Sequence, residues 1–199
     1  VDLIAEYYPR SMVAIMEYHL HIPGPDPLTN KDSEFRKEYY GGDFGTPTIF
    51  FNGKGKIVGG GSELVIKNAF NKYKKSIERK FDKKTNIDLS LTAEKKGKIV
   101  EFEAVINLLN DIKQKMQLHV ALVEKSVNYE GGNGVTKHAF VVRHLITGEK
   151  GQEIEIKDSK YALSKNFNLT DIEKRQNDYL NDFATNPPSR YRNFSGWKE

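Results

Sequence analysis

Apolar and polar residues alternate in two styles along this chain, and the style changes near residue 85. Before it, helix-like and strand-like patterns take turns. Asp2 to Tyr8 reads as a short helix ended by Pro9, and Ser11 to Ile22 as a strand, with Val13, Ile15 and the alternating positions beyond apolar or aromatic. The loop Pro23-Gly24-Pro25-Asp26-Pro27 cannot be regular, because each proline lacks a donor and restrains its predecessor. Thr29 and Asp32 have the spacing of a capping box before a helix that runs to about Tyr40 and ends at Gly41-Gly42. Thr48 to Phe51, the turn Asn52-Gly53-Lys54-Gly55 and Lys56 to Val58 read as a hairpin. Gly59-Gly60-Gly61 gives a flexible joint. Ser62 then caps a helix to about Phe81 whose apolar face is Ile66, Phe70, Tyr73 and Ile77.

After residue 85 the pattern predicts successive antiparallel strands. Ile87, Leu89 and Leu91 alternate with polar residues, and Val100 to Leu108 follow a Lys96-Gly97 turn. Leu118, Val120 and Leu122 form a third strand, and Ala139 to Leu145 a fourth. Ile154 to Ile156 and Tyr161 to Phe167 add edges. Short strands separated by turn signals predict a β-sandwich. Thr170 to about Phe183 is helical, Pro187-Pro188 stops it, and the tail to Glu199 has no period. The expected division is 1–84, 85–169 and 170–199.

Composition narrows the function classes. The chain has 199 residues, 38% hydrophobic and 29% charged, so it can bury a core. No apolar run approaches the roughly 20 residues of a membrane span. The net charge is +4, but the charges are interspersed and no basic stripe is interleaved with aromatics. A nucleic-acid partner is therefore not expected. There is no cysteine, which excludes disulfides, thiolate metal sites and a cysteine nucleophile within these residues. The chain begins at Val1 without a signal peptide and reads as a processed protein or a fragment. No cofactor motif is visible, and the glycine-rich stretch Gly131 to Gly134 links strands, so it is no phosphate cradle.

His19 and His21 lie two apart on the expected strand, with Asp26 shortly beyond. That pattern suits a divalent metal, a polar site that tunes a neighbour, or a structural role in satisfying loop carbonyls. The spacing fixes no third ligand, so no metal site is assigned. His119, His138 and His144 fall in the expected sandwich with packing or surface roles.

The segment Gly45-Thr46-Pro47-Thr48, followed by Ile49-Phe50-Phe51-Asn52-Gly53, resembles the Thr-Pro segment of thioredoxin-like proteins. Tyr18-His19-Leu20-His21-Ile22-Pro23-Gly24-Pro25-Asp26-Pro27 is similar to a segment of uncharacterised bacterial envelope proteins that carry such a domain, and residues 86–169 resemble their second domain. The resemblance implies an α/β thioredoxin-like domain followed by an antiparallel β-sandwich. It also implies a cis bond before Pro47, a periplasmic or extracellular address and extended peptides or envelope proteins as substrates. Thr46 and Pro47 become substrate-groove candidates, and His19, His21 and Asp26 a polar site near the redox position. One departure stands out: the strand and Cys-x-x-Cys motif that precede the first helix in those proteins are absent. The missing strand would lie between Ser11–Ile22 and Thr48–Phe51, so the expected sheet is incomplete unless an upstream segment or a partner fills it. These residues alone cannot perform thiol–disulfide exchange, which needs a thiolate. A Cys-x-x-Cys upstream would make the whole protein an oxidoreductase; without one, a non-enzymatic scaffold or docking component of an envelope assembly is the alternative.

Overall fold

The computed structural model describes residues 2–59 and 63–197. The expected joint at Gly60-Gly61 and the cap at Ser62 lie outside them. The chain is a mixed α/β protein with several antiparallel sheets. It divides into two compact units that are discontinuous in sequence. The first is Val1–Lys83, Val123–Val142 and Pro187–Glu199; the second is Lys84–Leu122 and Arg143–Asn186. The expected segments 85–169 and 170–199 are thus each shared between the units. Among the described residues no helix is long and apolar enough to cross a membrane.

In the first unit, α1 (Asp2–Tyr7) is followed by an irregular extended segment, then α2 (Lys31–Tyr39). The hairpin β1 (Thr48–Phe51) and β2 (Lys54–Val58) comes next, then α3 (Glu63–Phe81). Asn52 and Gly53 both take positive φ, 53° and 67°, which is what a tight two-residue hairpin turn requires. The core joins Ile4 and Tyr8 to Phe51 and Ile77, with Val13, Ile15, Ile49, Ile57, Phe70 and Tyr73 packed around them. Ile66, expected on the buried face of α3, is instead 45% exposed.

Ser11–Ile22 is not a strand. Its apolar alternation survives as alternating burial, since Val13 and Ile15 pack on the core while Met12 and Met16 are exposed. Its ladder is a single parallel bridge. The Glu17 amide donates to the Phe140 carbonyl at 2.8 Å, and the Val142 amide donates to the Glu17 carbonyl at 2.9 Å. Alternating burial needs only an extended backbone, whereas a strand needs a partner along its length.

The cap of α2 is Asn30, not Thr29. The Asn30 Oδ1 accepts from the Ser33 amide at 2.9 Å while its Nδ2 donates to the Val142 carbonyl at 2.8 Å. The amide of Asn30 therefore serves a second purpose that the shorter Thr29 side chain could not match. The peptide bonds Ile22-Pro23 and Thr46-Pro47 are both cis.

In the second unit, β3 (Ile87–Lys96), β4 (Ile99–Leu108) and β9 (Lys160–Asn168) form an antiparallel sheet with β4 central. Gly97 at φ 64° turns β3 into β4. The pair β5 (Gln117–Leu118) and β8 (Gln152–Glu153) is short. The expected third strand is split, because Val120 leaves the β5 ladder: its amide bonds the Thr147 hydroxyl at 3.0 Å. Ile154–Ile156 likewise lies beyond β8, not in a strand, but Ile154 and Ile156 still pack on the core of Ala104, Ile106 and Leu118. Asn168 caps α4 (Leu169–Thr185) by accepting the Thr170 amide at 2.9 Å. The hairpin of β6 (Ala121–Asn128) and β7 (Lys137–Leu145) belongs to the first unit from Val123 to Val142.

Candidate functional site

The first unit gathers the histidines around Asp26, and the loop that follows from the prolines puts Asp26 there. The Asp26 Oδ2 accepts from His19 Nδ1 at 2.8 Å, and its Oδ1 accepts from the Leu28 amide at 2.8 Å. Its own amide donates to His21 Nδ1 at 3.0 Å, and its carbonyl accepts from the Thr29 amide at 3.1 Å. These partners fix the tautomers. A carboxylate can only accept, so His19 Nδ1 bears a proton; an amide can only donate, so His21 Nδ1 is bare. The two rings therefore flank Asp26 and do not converge on a shared ion. Among the described residues no three His, Asp or Glu side chains form a metal-ligand set.

The surroundings set the charges. His21 is 3% exposed. Burial pulls its pKa down to about 4, and the Arg190 guanidinium adds to the effect against the attraction of Asp26. Burial works against the Asp26 carboxylate, yet the hydrogen bond and charge of His19 and the Leu28 amide together hold its pKa below the ordinary value. Glu17 stands 3.9 Å from the second ring nitrogen of His19, and burial raises its pKa against the attraction of that ring. The result is an ionised carboxylate between a neutral imidazole and an oriented one.

Thr46 and Pro47 are exposed and border this cluster. The Thr46 hydroxyl donates to the Ile22 carbonyl at 3.0 Å, which ties the head of β1 to the residue after His21. All five residues singled out from the sequence are thereby brought into one region of one unit.

Further residues join them that periodicity did not indicate. His138 is not in the second unit with the other sandwich strands. Its ring lies edge-on to His19 with centroids 5.0 Å apart, and its Nε2 donates to the Tyr129 carbonyl at 3.0 Å. The tail, patternless in sequence, supplies Arg190, Tyr191 and Trp197. Arg190 donates to the His21 carbonyl at 3.0 Å, the Tyr191 hydroxyl donates to the same oxygen, and the Trp197 ring stacks on the His21 imidazole at 6.0 Å and 23°. A proline-terminated helix followed by an aromatic-rich tail was the one available signal.

Chemically, the cluster presents an N–H from His19 to Asp26, accepts a proton at His21 only in acid, and offers backbone carbonyls and ring faces. It has no sulfur nucleophile, the chain being free of cysteine. In the second unit a shallow depression of 530 Å³ opens on β3, β4 and β9 between Glu94, Glu101, Glu103, Ser164 and Lys165. No family model, curated protein or solved structure matches the chain.

Proposed function

We propose that residues 1–84 are a thioredoxin-like unit related to thiol–disulfide oxidoreductases, carried with an appended β-sandwich in an exported protein of the bacterial envelope. In this reading the exposed Thr46-Pro47 segment borders extended peptide or envelope-protein substrates, which pair with its backbone as an added strand. His19, His21 and Asp26 set the polarity beside it.

The observation that carries the reading is the bond from the Thr46 hydroxyl to the Ile22 carbonyl. It joins the Thr-Pro segment to the histidine segment, the two stretches on which the resemblance rests. The order hairpin then helix, with α3 packed against α1 through Ile77 and Ile4, adds support. So does β1 itself, whose ladder partner among the described residues is β2 alone. A strand inside a thioredoxin-like sheet needs a second neighbour, and the missing strand of the resemblance would be that neighbour.

Exchange chemistry would require a thiolate that these 199 residues do not supply. The alternative reading is a scaffold or docking component of an envelope or extracellular assembly, with the same fold and no turnover. The natural gene upstream of Val1 and an insulin-reduction assay on its complete product separate the two. A Cys-x-x-Cys within about 15 residues upstream, with turnover of insulin disulfides, is the outcome expected of the oxidoreductase. An upstream sequence without cysteine, and no turnover, leaves the scaffold.

A further inference from the structure

The tail from Pro187 to Trp197 lies on the candidate site without being part of the core beneath it. Its own backbone bonds are local: the Tyr191 amide donates to the Pro188 carbonyl at 2.7 Å and the Phe194 amide to the Tyr191 carbonyl at 2.8 Å. What attaches it to His21 is side chains. Arg190 and Tyr191 place two donors on one carbonyl oxygen, filling both of its lone pairs, one of them with a charge-assisted bond. The Arg190 guanidinium lies 4.5 Å from the centroid of the Tyr191 ring, so the two donors also interact with each other. Trp197 covers the face of the His21 imidazole, and Phe194 supports it edge-on at 4.6 Å. None of these tail residues belongs to the cluster of Ile4, Tyr8, Phe51 and Ile77. Arg190 is exposed and Trp197 half-buried. Lifting the tail would therefore uncover His21 without opening that core.

We propose that the His21 segment is a peptide-binding site, that its ligand is a peptide presenting an Arg-Tyr pair followed a few residues later by Trp, and that the chain's own tail occupies it as an internal competitor. The site recognises a guanidinium and a phenol through one carbonyl and an indole through one ring face. Its next carbonyl, that of Ile22, accepts from the Thr46 hydroxyl, so the exposed Thr46-Pro47 segment adjoins the site. The inference rests on these contacts and stands without the thioredoxin-like reading.

A short tether gives the tail an effective concentration of about millimolar, so a peptide with Kd near 100 µM in trans should bind the intact chain roughly tenfold more weakly than a chain whose tail is loosened. The test uses a fluorescein-labelled peptide of residues Pro187–Trp197 and anisotropy. The intact chain is compared with the double variant Arg190→Ala and Tyr191→Phe, whose fold is checked by circular dichroism. The expected result is saturable binding about tenfold tighter to the variant, lost when the peptide carries Trp197→Ala. Trp197 is the sole tryptophan, so its emission in the unlabelled variant should also become more accessible to acrylamide. Equal affinity for variant and intact chain overturns the proposal. If the double variant does not fold, a chain ending at Asn186 replaces it with the same two outcomes. Failure of both to fold makes the tail part of the folded unit and overturns the proposal as well.

Discussion

Asp26 uses every polar group it has: two carboxylate oxygens, an amide and a carbonyl, each with a partner from His19, His21, Leu28 or Thr29. This is why the neighbouring imidazoles differ in tautomer although they are two residues apart. His21 shows the difference in its stability linkage. Its folded pKa, about 4, lies below the ordinary value of 6.5, so the unfolded chain binds more protons between those limits and stability falls as pH falls through them. Urea unfolding at pH 7 and pH 4.5 should show intact protein losing about 2 kcal/mol more than His21→Gln over the same interval. Equal losses in the two proteins would mean that His21 is not held neutral. The sequence drew attention to His19, His21 and Asp26 through their spacing. It could not tell that Asp26 separates the rings, because that depends on the path of the 23–27 loop and not on strand parity.

At the scale of elements, α2 begins where Asn30 can serve two masters, the Ser33 amide and the Val142 carbonyl. Asn30→Ala removes a cap and a buried bond and should cost about 2 kcal/mol in urea unfolding at pH 7. Asn30→Ser keeps a cap acceptor but not the donor to Val142, and should cost about 1 kcal/mol, less than Ala. Equal costs for both variants would show that the cap contributes nothing. The hairpin β1–β2 was legible because Asn-Gly encodes its turn locally, and α1 and α4 because their ends carry Pro9 and Pro187-Pro188. At Ser11–Ile22 apolar alternation reports an extended, half-buried backbone and says nothing about whether a neighbour is there to pair with it. The choice of Asn30 over Thr29 as the cap is equally invisible to local pattern, because the deciding partner, Val142, is remote in sequence.

Over the whole molecule, Val123–Val142 and the tail join the first unit, which no change of pattern along the chain announces. Periodicity is blind to contacts such as Glu17 with Val141 or His21 with Arg190, and these are the contacts that assemble the site. In the proposed thioredoxin-like unit, β1 is an inner strand of the sheet. The Gly59 amide donates to the Pro47 carbonyl at 2.8 Å, and Ile49 is paired with Ile57. By the alternation of an antiparallel ladder, Thr48 and Phe50 then turn their amides away from β2. Amide hydrogen exchange of the complete natural gene product tests the claim directly. The account predicts that Thr48 and Phe50 exchange as slowly as Ile49, held by a strand on the other side. Slow exchange at Ile49 with fast exchange at Thr48 and Phe50 would make β1 an edge strand and contradict it.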